Sequence, residues 1–283
     1  MDGKSHTSFE NVEIRPLAGA CGAEILNIDL AGNLTPEVYE FCNRVLLEYG
    51  VIFFRDQDLT PQQLLNFAEL WGDIHVHPHQ PSLPGAPGVW ELIKEPDERM
   101  AIGDNWHSDQ MFTAEPALGT ILYAKEAPPY GGDTMFSNMY MAYDALSAGM
   151  KAMLAGVKTL NKYPFERARN RALQQGFKAD DIPTVEHPLF RRHPETGRTS
   201  LYFSYGGTTR GLAGMRDEES APIRNYLTWH MGRPEFTCRF RWEVGSIAFW
   251  DNRCVNHRAV NDYHGFRRYM QRVTIKGDAV IAA

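Results

Sequence analysis

Seven short apolar segments follow one another between Ala117 and Gly277: ALGTILYA, DTMFSNM, HPLFRRH, SLYFSY, FTCRFRW, GSIAFWDN and RRYMQRVTIKG. Each is cut off by glycine, proline or a polar turn, and runs this short and rich in aromatic and branched residues read as strands. A doubly wound parallel sheet would need a helix after nearly every strand, and that alternation is missing. Helix grammar is instead strongest near the start. Thr35-Pro36-Glu37 supplies a cap, an N1 proline and an acidic first turn ahead of Val38, Phe41, Cys42, Val45 and Tyr49, with a stop at Gly50. Thr60-Pro61 opens a second helix whose apolar residues Leu64, Phe67, Ala68 and Trp71 recur at helical spacing up to Gly72. Between the two, VIFFRDQ reads as a buried strand, and further helical stretches lie around Ala142–Leu154 and Ala221–His230. The pattern predicts a mainly β fold with helical cover, a barrel or sandwich. No repeat or linker divides the chain, so residues 1–283 are read as one domain.

Composition narrows the partners. Hydrophobic residues make up 43% of the chain and charged residues 23%, which suffices for a substantial core. A net charge of -6 argues against a sequence-independent grip on nucleic acid, which needs a basic surface. Cys21, Cys42, Cys238 and Cys254 form no CxxC pair, so they read as reduced thiols rather than a disulfide or zinc framework. No apolar run approaches the length of a membrane span, and the first residues lack a signal-peptide core. The expectation is a cytoplasmic protein with a small-molecule partner and no membrane or nucleic-acid partner.

The chemistry-bearing residues are histidines, carboxylates and arginines. In an extended segment His107 and Asp109, two apart, point to one side and can reach one metal. His257, 150 positions further on, is the candidate third ligand. Two histidines and a carboxylate form the facial triad of non-haem Fe(II), which leaves coordination positions open for chemistry. His75, His77 and His79 alternate in the proline-rich loop HVHPHQPSLPGAPG and compete for the metal. Pro78 disrupts strand pairing there and no carboxylate follows, so a solvated or substrate-facing loop is the plainer reading. His187, His193, His230 and His264 read as structural or surface residues. In the last strand candidate, Arg268, Met270 and Arg272 share one face, with Tyr269, Gln271, Val273 and Ile275 on the other. A guanidinium aimed into a barrel needs an anion. That anion is either a ligand carboxylate or an internal Asp or Glu, and the strand alone leaves both open.

Taken together, PLAGACGAEILNIDL, GVIFFRDQDLTPQQLLNFAELWGDI, DNWHSDQMF, PPYGGDTMFSNMYMAYDALS, HPLFRRHPETGRTSLYFS and WDNRCVNHRAVNDYHGFRRYMQRVTIKGD resemble, in that order, the taurine dioxygenase type (TauD/TfdA) of Fe(II)/2-oxoglutarate-dependent dioxygenases. The resemblance runs through nearly the whole chain. It implies a double-stranded β-helix (jelly-roll) core, Fe(II) on His107, Asp109 and His257, and 2-oxoglutarate and O2 as co-substrates. It also implies that Thr134 and Arg268 hold the far carboxylate of 2-oxoglutarate, and that Arg272 and His77 contact a small anionic substrate. Succinate and CO2 would be co-products, and a homo-oligomer is implied by the same analogy. Because Asp109 is present, no ligand position is vacated for a halide.

Three positions depart from the taurine pattern: Gln80, Gly103 and Gly207 stand where the taurine enzyme has tyrosine, asparagine and phenylalanine. Two of the changes remove volume, which suggests a substrate larger than taurine: an aryloxyalkanoate, a longer sulfonate or an alkyl sulfate. The glycines could instead serve backbone turns. Two alternatives stay open at this point, taurine dioxygenase proper and a zinc-dependent hydrolase using the same triad.

Overall fold

The computed structural model describes residues 11–76, 81–163, 183–204 and 208–283. In chain order the first strands are β1 (Glu13–Pro16), β2 (Ala23–Leu26), β3 (Val51–Phe54), β4 (Trp90–Lys94), β5 (Gly119–Glu126), β6 (Thr134–Asn138), β7 (Lys158–Asn161) and β8 (Val185–Pro188). They continue with β9 (Phe190–Arg192), β10 (Thr199–Leu201), β11 (Thr209–Leu212), β12 (Thr237–Phe240), β13 (Ile247–Asp251), β14 (Val255–Ala259), β15 (Arg268–Ile275) and β16 (Ile281–Ala282). The α-helices among the described residues are α1 (Pro36–Tyr49), α2 (Pro61–Ala68), α3 (Met139–Asp144), α4 (Ala148–Leu154) and α5 (Asp217–Met231). None of them is long and apolar enough to cross a membrane.

The main sheet runs β1-β2-β3-β13-β5-β15-β4. Its pairs are antiparallel except β2 with β3, which α1 connects as a crossover, so they run parallel. Period-two alternation decides the layers. Val51, Phe53, Leu122, Ala124, Ala248, Trp250 and Met270 point to one side and meet Phe136, Cys238, Phe240 and Val255 of a smaller sheet, β12-β6-β14. The residues between them, Ile52, Phe54, Ile121, Tyr123, Ile247 and Phe249, point to the other side and pack on α1 and α2. Two facing sheets with helices on the outer side make the expected mainly β, jelly-roll fold. Phe53 and Phe240 stack at 4.0 Å between centroids and fix the spacing of the sheets. A third cluster joins α3, α4 and α5 to Phe190 and Leu201 of β9 and β10.

Local signals explain the helix ends. Thr60 and Gln63 form a reciprocal capping box at the start of α2. Gly50 closes α1 at φ +74°, its N–H bonded to the carbonyl of Leu46. Elsewhere the outline needed correcting. The stretch expected around Ala142–Leu154 is two short helices, because Ser147 caps α4 and restarts the chain. The helix expected near Ala221 begins at Asp217, with Pro222 inside it. HPLFRRH is split into β8 and β9 after Pro188. β4 and β14 were not anticipated, and β14 carries His257.

Candidate active site

His257 lies on β14, opposite Phe136 of β6. His107 is tied to it by a two-way backbone bridge, His107 N–H to the His257 carbonyl at 3.0 Å and the reverse at 2.8 Å. The His-x-Asp segment is therefore an isolated bridge rather than the strand expected from its spacing. The alternation still holds, since Ser108 turns away to donate to the Asn252 carbonyl while His107 and Asp109 turn inward. One donor atom from each of His107, Asp109 and His257 lies within 4.8 Å of the others. The two imidazole Nε2 atoms stand 3.7 and 4.0 Å from Asp109 Oδ1, too far for hydrogen bonds.

The protonation pattern suits a cation. His107 Nδ1 lies 2.7 Å from the Asn105 carbonyl, so Nδ1 carries the proton and the Nε2 lone pair faces the cluster. Burial, with His107 beside it, pushes the His257 imidazole well below its ordinary range. Its ring is held by Trp250 and His107 at centroid distances of 4.4 and 4.1 Å, and its Nδ1 has no hydrogen-bond partner. Burial alone would raise the Asp109 carboxyl. The Arg272 guanidinium is the largest opposing cause, and the group is held well below the usual carboxylate range. Two imidazoles and an ionised carboxylate converge without bonding one another, and this donor set fits a divalent metal such as Fe(II). Arg272 Nη2 sits 2.6 Å from Asp109 Oδ1, the oxygen that faces both histidines.

Asp109 is oriented by a closed ring of hydrogen bonds. Asn252 Oδ1 accepts from the Trp250 indole at 3.0 Å and from the Asp109 backbone N–H at 3.2 Å. Both are obligate donors, so the other end of the amide is Nδ2, which donates to Thr120 Oγ1 at 3.0 Å. The Thr120 hydroxyl proton is then left for Asp109 Oδ2, at 2.7 Å. One carboxylate oxygen is thereby tied back and the other is presented to the histidines.

Arg268 and Thr134 also come together. Arg268 is buried, its Nε has no partner, and its guanidinium lies 5.5 Å from the Trp242 ring centroid. The Trp242 indole donates to Thr134 Oγ1 at 2.9 Å, which leaves the threonine's own O–H to donate elsewhere. Of the two open readings of the arginine pair, Arg272 has an internal carboxylate and Arg268 has none among the described residues.

His77, Gln80 and Gly207, as well as His79, lie outside the described residues. Gly103 has φ +81°, and a Cβ there would stand 3.1 Å from His107 Cε1. Glycine at 103 thus serves the turn and the close approach of His107 whatever it does for pocket volume. A second cluster, His193, Asp251 and Cys254, also has metal-like spacing. His193 Nδ1 accepts two backbone N–H groups, from Glu195 and Thr196, so its Nε2–H donates to Asp251 at 3.0 Å. Arg253 grips the same carboxylate with Nε and Nη2, and the group is a buried strut with no lone pairs to spare. Cys21 and Cys238 approach to 3.6 Å but remain thiols. Thr120, Asn252 and Trp242 were missed in the sequence. Only Asn252, in the WDNR run before His257, stood near a recognisable signal.

Comparison with known proteins places the chain. Residues 13–274 match the model described as "Taurine catabolism dioxygenase TauD, TfdA family". The chain is 32% identical to an alkylsulfatase of Acinetobacter baylyi, over 97% of this chain and 88% of that protein. It is 30% identical to an alpha-ketoglutarate-dependent sulfate ester dioxygenase of Pseudomonas putida, over 95% and 91%. The crystal structure of a taurine dioxygenase from Burkholderia xenovorans superposes with a TM-score of 0.83 at 33% identity, covering 96% of this chain and 91% of that one.

Proposed function

Starting from the fact that this chain belongs to the TauD, TfdA family of dioxygenases, we propose that it oxidises a C–H bond of a small organic anion, with 2-oxoglutarate and O2 as co-substrates and Fe(II) on His107, Asp109 and His257. The observation that carries this is the convergence of those three donors beside two arginines on one strand face, Arg268 and Arg272. When bound, Fe(II) with 2-oxoglutarate supplies the oxidising power, O2 being consumed as 2-oxoglutarate is decarboxylated to succinate and CO2 and one oxygen atom enters the substrate.

The chain's own residues position the reactants. Arg268 and the free O–H of Thr134 receive the distal carboxylate of 2-oxoglutarate, a planar anion matched to a guanidinium fork. Thr120 and Asn252 hold Asp109 so that one oxygen serves the metal. Arg272 is seated over Trp90 at 5.1 Å, next to the triad through Asp109. A cation held by His107, Asp109 and His257 would compete with Arg272 for Asp109 Oδ1, which would leave an Arg272 N–H for the substrate's anionic end. Oxidation at a carbon bearing a sulfate-ester or ether oxygen leaves a product that collapses to a carbonyl and expels that group.

Alkyl sulfates head the substrate series, since two relatives that align along nearly the whole chain carry sulfate-ester names. Longer sulfonates and aryloxyalkanoates follow. The test is succinate formation by the Fe(II)-loaded protein across these classes and taurine. Stimulation by an anion larger than taurine supports the reading. Best turnover with taurine would make it a taurine dioxygenase proper. Substrate hydrolysis without O2 or 2-oxoglutarate would favour the zinc hydrolase.

A further inference from the structure

β4 places Lys94 directly opposite Arg268 of β15. Facing residues of an antiparallel pair lie on one side of the sheet, with Cβ atoms about 4.5–5.5 Å apart. Both side chains are buried, and neither Lys94 Nζ nor Arg268 Nε has a hydrogen-bond partner. They share an aromatic wall: Lys94 Nζ is 4.6 Å from the Tyr263 ring centroid, and Arg268 lies near Trp242. A ring face attracts a cation but does not neutralise it. The nearby Asp133 spends Oδ2 on Arg239 at 2.5 Å, and its buried Oδ1, which has no hydrogen-bond partner, acts on Arg268 through charge without forming an ion pair. Two like charges set opposite each other and taken out of water are costly unless an anion lies between them.

We infer that Lys94 is a second cationic contact for the distal carboxylate of 2-oxoglutarate, sharing it with Arg268 and Thr134. The assignment rests on the dioxygenase reading above and adds a residue to it. It makes the site selective for a 2-oxo diacid, because a 2-oxo acid without a second carboxylate leaves Lys94 without an anion in contact and Arg268 with only the non-contacting charge of Asp133.

Lys94→Met keeps a comparable apolar stem and removes the charge. Wild type and variant, loaded anaerobically with Fe(II), are titrated by calorimetry with 2-oxoglutarate and with 2-oxobutanoate, which lacks the distal carboxylate. The variant is expected to bind 2-oxoglutarate about tenfold more weakly or worse and 2-oxobutanoate no more weakly than wild type does. Lys94→Arg is expected to retain most of the affinity. Ligand-free Lys94→Met should melt no lower than wild type, since a repulsion is removed, while its stabilisation by 2-oxoglutarate shrinks. Unchanged 2-oxoglutarate affinity, or equal weakening for both acids, would overturn the assignment. If Lys94→Met does not fold, Lys94→Gln carries the same comparison. Failure of the dioxygenase reading itself looks different, because wild type would then bind neither acid.

Discussion

Asp109 has two oxygens and three claims on them, from Thr120, from Arg272 and from whatever cation the histidines receive. The ring through Asn252 settles the division, so Thr120→Val, which keeps the shape but loses the proton donor, should weaken divalent metal binding roughly ten- to hundredfold. Calorimetry with Co(II) on the otherwise folded variant checks this, and Thr120→Ser should restore affinity. Arg272 is predicted to act on the substrate. Arg272→Ala should raise KM for an anionic substrate many-fold while changing kcat less, as expected when an interaction common to ground and transition states is lost. Steady-state kinetics that left KM unmoved would remove Arg272 from that role. At this scale the sequence was informative for the triad and the arginine pair, because side-chain type and spacing carry those signals. It was silent on Thr120 and Lys94. A lone threonine and a lone lysine acquire meaning only when pairing across β5, β13 and β15, or β4 and β15, sets them beside their partners.

Strand and helix boundaries show where local chemistry decides and where packing does. α1 and α2 were legible because caps, N1 prolines and terminal glycines act within a few residues. β14 was not, although it bears His257. VNHRA has no clean alternation, and its strand state comes from pairing with β6. The turn after β9 is joined to the end of β13 by the strut of His193, Asp251, Arg253 and Glu195. Burial alone would raise the Asp251 carboxyl, but Arg253 and the His193 hydrogen bond outweigh it and hold it well below the usual range. A carboxyl depressed in the folded state binds protons more readily when unfolded. Its contribution to stability is therefore full above the unfolded value of about 3.9 and falls away as pH drops through the acid range. Asp251→Asn should cost about 3–5 kcal/mol at neutral pH by leaving Arg253 without its buried partner. It should also flatten the loss of stability in acid, and urea unfolding of both proteins between neutral and acid pH checks each point.

The chain carries a net charge of -6, yet Arg268 and Lys94 are buried and Arg272 is largely so, all three on one face of the β4–β15 pair. That contrast suits a small anion held between two sheets, and it explains why composition could not point to the ligand. Short strands without alternating helices made the jelly roll legible, since few architectures close so many brief strands. Sheet order was not legible, because β13 enters between β3 and β5 from far along the chain. The claim on which the account depends is that His107, Asp109 and His257 hold an iron that still has room for a chelating 2-oxo acid. Its most direct test is the visible absorption of the anaerobic Fe(II) protein as 2-oxoglutarate is added. A metal-to-ligand charge-transfer band that appears in wild type and is lost in His257→Ala is the predicted result. Protein verified to carry one iron that develops no such band at saturating 2-oxoglutarate would contradict it.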